Sequence, residues 1–322
     1  MVLVQWVGPW RATALAGMVC TVLATGSGLG VAWADAPSLA AAPSAAAQAL
    51  AEVACGEVLA CRTDRGSYYI HLPEGAPRGA ILFLHGHRGS GLNEIGNQAM
   101  LAMADRLGVA FVAPDGLDGT WSFPGAPQAQ RDEFAFLAGV AEDVARRFSV
   151  PRERMMLSGF SSGGFMTWYT ACHDSSLFAG FAPVAGAFWM PLPEACATSI
   201  PDLRHVHGTT DPVVPMAGRA LGGGRWRQGD VNDSFDVWLR QAGLSREGAE
   251  ETQEGGLACR TWRIGSRTGT GQGNGQRSEG GPLQLCLHDG GHSVRAEWLE
   301  QAYRGLAVRQ GWPLPQTPLS GR

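Results

Sequence analysis

The stretch of this chain best suited to chemistry is Gly159-Phe160-Ser161-Ser162-Gly163. An apolar run, Met155-Met156-Leu157-Ser158, precedes it and reads as a buried strand. Gly164 to Ala171 follows and reads as a helix. A serine at a strand-to-helix turn of this G-x-S-x-G form is the setting of a nucleophile elbow. The turn is so tight that the serine takes a strained backbone conformation, and the residues two before and two after it must lack a Cβ. The helix N-terminus then aims its free amides at whatever the serine attacks. The bland alternative is a glycine-rich turn with a structural serine, so the flanking sequence has to supply a base, an acid and an oxyanion hole.

A serine hydroxyl is a weak nucleophile until a base takes its proton. In a sheet of this kind the order along the chain is nucleophile, acid, histidine. Of the eight histidines, only His288 and His292 follow every plausible acid. His292 lies in the turn Asp289-Gly290-Gly291-His292 and is favoured over His288, which still belongs to a strand-like run. Asp211 follows the strand-like Leu203–His207 and sits at that strand's carboxyl end, where an open α/β sheet keeps its site. Asp202 should lie at the opposite edge, and Asp230, Asp233 and Asp236 read as a helix start and its exposed face. Ser162 and His87 are the expected oxyanion donors, each through its backbone N–H. His85 with His87, and His205 with His207, have a spacing that could also hold a metal, but each pair has a simpler place in the serine scheme, and no metal or cofactor is expected.

These residues need rigid elements to hold them. Strand-like runs at Ser67–Leu72, Ala80–His85, Val109–Pro114, Phe181–Ala185, Leu203–His207, Leu257–Ile264 and Leu283–His288 alternate with helical patterns at Gly96–Leu107, Asp132–Phe148, Asp233–Gln241 and Val294–Val308. Continuous apolar strands separated by helices predict an α/β fold with a doubly wound, mostly parallel sheet. Residues 265–281 are low-complexity Gly, Thr, Gln and Ser, and read as a flexible insertion within a catalytic domain spanning 52–322.

The chain of 322 residues is 45% hydrophobic and 17% charged, with a net charge of −4, and it contains no lysine. That balance suits a globular domain and gives no basic patch for nucleic acid. Residues 1–34 read as a signal peptide. Arg11 is their only charge, an apolar stretch follows, and Ala32-Trp33-Ala34 fits a cleavage site before Asp35. Residues 35–51 form an Ala/Pro-rich leader, and no stable membrane association is expected after cleavage. Export to the periplasm or the medium makes an even set of cysteines read as disulfides. Six remain after cleavage, and sequence proximity favours Cys55–Cys61, Cys172–Cys196 and Cys259–Cys286 among 15 connectivities.

Several motifs occur together in one order. They are Leu84-His85-Gly86, Asp115-Gly116 with Trp121, Asp132-Glu133, Gly159-Phe160-Ser161-Ser162-Gly163-Gly164, Pro183-Val184-Ala185-Gly186, His207-Gly208-Thr209-Thr210-Asp211-Pro212-Val213-Val214-Pro215 and Gly290-Gly291-His292. From about Cys55 to Trp298 the chain resembles the secreted α/β-hydrolases known as polyhydroxybutyrate depolymerases and feruloyl esterases. The resemblance implies the α/β-hydrolase fold and carboxylic-ester hydrolysis without a cofactor, by a triad of Ser161, Asp211 and His292. It also implies a monomeric or weakly associating exported enzyme. Ser293-Val294-Arg295 stands where such proteins often carry Trp-Pro-Gly, and no polymer-binding domain is expected after the last motif. The first departure bears on the subsite beside the histidine, and the second favours small or soluble esters, such as 3-hydroxybutyrate oligomers, with feruloyl or acetylxylan-type esters as the alternative and a serine peptidase or a non-catalytic hydrolase-fold binding protein behind it. Trp121 and Trp189 are the candidate pocket residues, with Phe123, Phe188 and Met190 near them. Gly222-Gly223-Gly224 with Arg225-Trp226-Arg227 is a candidate cover.

Overall fold

A computed structural model describes residues 55–264 and 280–315. The expected signal peptide, the Ala/Pro leader and nearly all of the 265–281 insertion lie outside the described residues. In chain order the strands are β1 (Cys61–Arg62), β2 (Ser67–His71), β3 (Ala80–Leu84), β4 (Ala110–Pro114), β5 (Met155–Phe160), β6 (Gly180–Val184), β7 (Leu203–Gly208), β8 (Ala220–Leu221), β9 (Trp226–Arg227), β10 (Glu250–Glu254), β11 (Leu257–Trp262) and β12 (Leu283–His288). The α-helices are α1 (Gly91–Ile95), α2 (Gln98–Leu107), α3 (Glu133–Phe148), α4 (Ser162–His173), α5 (Val231–Gln241) and α6 (Ala296–Gln310).

Ten strands form one sheet in the order β1-β2-β4-β3-β5-β6-β7-β12-β11-β10. The six from β4 to β12 are mutually parallel, and antiparallel strands flank them on both sides. Strands β3 through β7 are buried along their length, except for half-buried Phe160 at the end of β5, as a sheet covered on both faces requires. One apolar cluster joins Leu82, Leu84 and Leu157 to α3, α4 and α5. The other joins Ile81, Phe83 and Met156 to α2 and α6. Alternate residues of β3 thus feed opposite cores, which is the period-two geometry of a strand.

The parallel direction is what creates a site. The loops after β3, β4, β5, β6, β7 and β12 all leave the same edge of the sheet. The order reverses beside β3, which has β4 on one side and β5 on the other. A crevice opens at such a reversal because the flanking connections run to opposite faces.

Two expectations change in detail, and one strand was not expected. The helix expected over Gly96–Leu107 starts at Gln98, because the Asn97 side chain accepts from the amides of Ala99 and Met100, and the short α1 lies separately before it. Asp132 lies just outside α3 as its cap, accepting from the amide of Ala135. Strand β10, EETQE, has no apolar face to reveal it. Its charges suit an edge strand that must not recruit a further strand.

Disulfides join Cys55 to Cys61, Cys172 to Cys196, and Cys259 to Cys286. The last crosses directly opposed residues of β11 and β12. The second ties the end of α4 to the loop entering β7 across 24 residues. Closing a loop of that size removes about 3 kcal/mol of unfolded-chain entropy. The double variant Cys172→Ser/Cys196→Ser should therefore lose about that much stability in urea unfolding. An unchanged midpoint would mean that the bridge adds no constraint.

Candidate active site

Ser161 follows β5 with φ 55° and ψ −113°, a conformation that strains a residue bearing a Cβ. The surroundings hold it there. Its amide donates to the Val184 carbonyl at 3.0 Å, and its carbonyl accepts from Phe165 N–H at 2.9 Å. The neighbouring glycines are steric necessities. A Cβ on Gly159 would strike the Gly163 carbonyl, and one on Gly163 would strike the Leu84 carbonyl. Strand β5, helix α4 and strand β3 therefore pack closer than any side chain would permit.

Asp211 and His292 meet through neighbouring strands. β7 and β12 pair in parallel with Gly208 opposite His288, so their exit loops emerge side by side. Gly208 is needed here because a Cβ would strike the carbonyls of Gly290 and Gly291. Asp211 Oδ2 accepts from His292 Nδ1 at 2.7 Å. Its other oxygen accepts from the amides of Val213 at 2.8 Å and Val214 at 2.9 Å. The Asp211 side chain is fully buried, while His292 keeps 15% of its side chain exposed. The imidazole leans on Phe160, next to Ser161, with ring centroids 4.6 Å apart. Ser161 Oγ makes no hydrogen bond among the described residues, an arrangement common in a resting hydrolytic site.

The rival residues are occupied elsewhere. His288 Nδ1 accepts from Gly290 N–H at 2.9 Å, and its ring lies against Trp298. Asp230 caps α5, Asp233 and Asp236 pair with Arg246, and Asp202 pairs with Arg309.

His205 and His207 form a buried relay. His207 Nε2 donates to the Val214 carbonyl at 2.7 Å, which leaves its Nδ1 as acceptor. His205 Nε2 donates to that Nδ1 at 2.9 Å, and Trp168 Nε1 donates to His205 Nδ1 at 3.3 Å. Burial first, then their mutual proximity, pushes the His205 pKa well below the ordinary histidine value, and burial also lowers that of His207. Both are neutral, and their relay ends on the loop that carries Asp211. Among the described residues no group of three metal-binding side chains comes together.

The two expected oxyanion amides have no other hydrogen-bond acceptor among the described residues. Ser162 opens α4 at its amide end. His87 sits in a loop fixed by His85, whose Nδ1 donates to the Gly86 carbonyl at 2.8 Å and whose Nε2 accepts from Gly116 N–H at 2.9 Å. Arg88, at φ 65°, donates its amide to the Gly119 carbonyl. Trp121 Nε1 donates to the His85 carbonyl at 2.9 Å. The Asp115 and Glu133 motifs brace the same loops. Asp115 Oδ1 accepts from Gly91 N–H at 2.7 Å, while Arg131 bridges the Asp115 carbonyl and the Glu133 carboxylate.

A cavity of about 350 Å³ opens beside Ser161, and Ser162 and His87 are among the residues that line it. Trp121 and Trp189 line it, together with Phe123 and Phe165. Phe188 does not, since it packs between Trp168, Tyr169 and Trp238. Nor does Met190, which is 45% exposed. The Gly222–Gly224 region joins β8 and β9 in a small hairpin, and Leu221 and Gln228 from its two arms reach the cavity wall. Phe165, one turn into an apolar helix, and Gln228, in no motif, carried no sequence signal for this wall.

The profile of the phospholipase/carboxylesterase family matches residues 137–222, a span holding Ser161 and Asp211. The chain is 31% identical over 170 residues to a putative esterase, NocK, of Nocardia uniformis subsp. tsuyamanensis, covering 50% of this chain and 49% of that protein. It is 23% identical over 240 residues to feruloyl esterase C of Emericella nidulans, covering 70% of this chain and 75% of that protein. It is 27% identical over 146 residues to poly(3-hydroxyalkanoate) depolymerase C of Paucimonas lemoignei, covering 40% of this chain and 32% of that protein. The alignment to NocK, like that to the depolymerase, thus spans about half or less of the relative's length. Among solved structures, the acetyl xylan esterase from Aspergillus awamori superposes with a TM-score of 0.51 at 15% identity, covering 75% of this chain and 94% of that one.

The neutral relay has a pH consequence. A buried histidine with a lowered pKa binds its proton more readily in the unfolded chain. Its contribution is therefore full above the ordinary histidine value of about 6.5 and is lost as the pH falls below it. The variant His205→Gln should show a shallower fall in Tm between pH 7.5 and 5 than the parent protein. Parallel curves would mean that His205 does not titrate on unfolding.

Proposed function

We propose that this chain, an α/β-hydrolase by fold, hydrolyses carboxylic esters through a serine nucleophile. The observation that carries the proposal is the 2.7 Å contact between buried Asp211 and His292, set beside a strained Ser161 at the mouth of a cavity. Ser161 Oγ attacks the ester carbonyl carbon while His292 Nε2 takes its proton. Asp211 holds the imidazole with Nδ1–H toward itself and stabilises the imidazolium. The amides of Ser162 and His87 receive the negative oxygen, each contributing on the order of a hundredfold in rate. The carbon–oxygen bond to the alcohol breaks as His292 returns the proton to the leaving oxygen. Water then attacks the acyl-enzyme, gives its proton to His292, and releases the acid and the serine.

Four aromatic side chains on the cavity wall favour an aromatic acyl group, as in a feruloyl ester, over the aliphatic 3-hydroxybutyrate oligomer that ranks first on the sequence motifs. The likeness to feruloyl esterase C supports the same choice, and the depolymerase likeness keeps the oligomer as the second reading. Export through residues 1–34, with cleavage before Asp35, belongs to the proposal. The three disulfides suit an oxidising compartment outside the cytoplasm.

The test is a rate comparison on methyl ferulate and soluble 3-hydroxybutyrate oligomers. Ser161→Ala should lower kcat/KM at least about a thousandfold, and Asp211→Asn should lower it to a similar degree by disturbing the histidine tautomer. Retention of more than about one part in twenty by a folded Ser161→Ala protein would overturn the nucleophile assignment. Faster cleavage of the oligomers than of the ferulate would move the substrate to the second reading.

A further inference from the structure

The cavity beside Ser161 mixes aromatic and polar side chains, with Thr120, Gln128 and Arg219 on its wall as well as Ser162 and His87. On that wall Trp189 and Gln228 face each other across an antiparallel bridge. Both residues are nearly buried, at 5% and 4% exposure. Neither Trp189 Nε1 nor Gln228 Oε1 meets a hydrogen-bonding group of the protein. The Gln228 side-chain amide makes no hydrogen bond at either end among the described residues.

These are not loose side chains awaiting a partner elsewhere. Gln228 N–H donates to the Arg219 carbonyl at 2.9 Å, Gly229 N–H donates to the Phe188 carbonyl, and Met190 N–H donates to the Arg227 carbonyl. The backbone on both sides of the bridge is thus fixed. A buried polar group left unpaired is costly, and proteins satisfy nearly all of them. Two adjacent exceptions on the wall of a candidate active site call for a partner that enters with the substrate.

We infer that Gln228 and Trp189 form a polar reader for a hydroxyl group on the acyl part of the substrate. A hydroxyl accepts from the indole N–H and donates to the amide oxygen, so one group pairs both. The inference rests on the proposed ester hydrolysis and adds the feature by which the site chooses its acyl group. The acyl group is the part to be read, because it stays bound through both chemical steps while the alcohol departs to water. A carboxylate fits the reader less well. It would meet the amide oxygen as a second acceptor and would have to shed its water among aromatic rings. Arg219, also on the wall, is exposed to solvent and lies outside this buried pair.

A site built to hydrogen-bond a substrate hydroxyl rejects the analogue without one, since its own buried groups are then left unpaired. The test separates binding from turnover. Calorimetric affinities of Ser161→Ala are measured for methyl 4-hydroxycinnamate against methyl cinnamate, and for methyl 3-hydroxybutyrate against methyl butyrate. At least one pair should show a preference of about tenfold or more for the hydroxylated ester. Adding Gln228→Met, of similar volume, should bring that preference close to one by lowering the affinity for the hydroxylated ester. Trp189→Phe should weaken the preference in the same direction. The inference is overturned if neither pair shows a preference, as when a fixed water already pairs the two groups, or if the preference survives Gln228→Met. A protein that binds with this preference but turns over neither hydroxylated ester would sink the hydrolytic reading and leave the hydroxyl reader standing.

Discussion

The close crossing of β3, β5 and α4 is the constraint on which the rest of the site depends. The Gly163 backbone lies against the Leu84 carbonyl, and the Gly159 backbone lies against that of Gly163, with no space for a Cβ at either glycine. This contact sets Ser161 at the apex of a turn with a positive φ and turns its side chain away from the packed backbone. It also brings the end of β3, and hence the His85–His87 loop, beside the amide end of α4. Serine, free helix amides and the neighbouring loop therefore share one position for one steric reason. Strain of this kind persists because the hydrogen bonds from Ser161 N–H and to its carbonyl over-determine the turn.

Around that crossing the loops are held by polar side chains committed to backbone groups. His85 spans the loops after β3 and β4 with its two ring nitrogens, and Trp121 caps the His85 carbonyl. Arg131, paired with buried Glu133, holds the Asp115 carbonyl. His205 and His207 carry a line of hydrogen bonds from Trp168 to Val214, whose own amide binds Asp211. Each group is buried and each is paired, which is the condition under which a polar network stiffens a core instead of weakening it. Other buried atoms, such as Trp238 Nε1 and His288 Nε2, also lack a partner, but among the described residues Trp189 Nε1 and Gln228 Oε1 are the unpaired ones that line the cavity.

The local signals worked where chemistry and backbone sterics coincide. Glycine is required at the elbow for steric reasons visible in a few residues. The apolar runs of β3 to β6 announce a sheet buried on both faces. Other features depend on distant partners. β10 is polar because it is an edge, and its place is set by β11 and not by its own pattern. Phe188 and Phe165 look alike in the sequence, yet one packs against Trp168 and Trp238 and the other lines the cavity.

By itself the sequence determined the order of the buried central strands and the main helices, the elbow, and the placement of Asp211 and His292 after strands, because strand burial, turn sterics and exit-loop position are properties of short stretches. Only the tertiary structure decided which strands are neighbours, so that loops 81 residues apart bring Asp211 to His292 at 2.7 Å. It alone also decided which buried polar groups pair with one another and which face the cavity. Hydrogen bonds such as those of Trp168 with His205 and of His292 with Asp211 are relations across the fold, and no short stretch of sequence contains both partners.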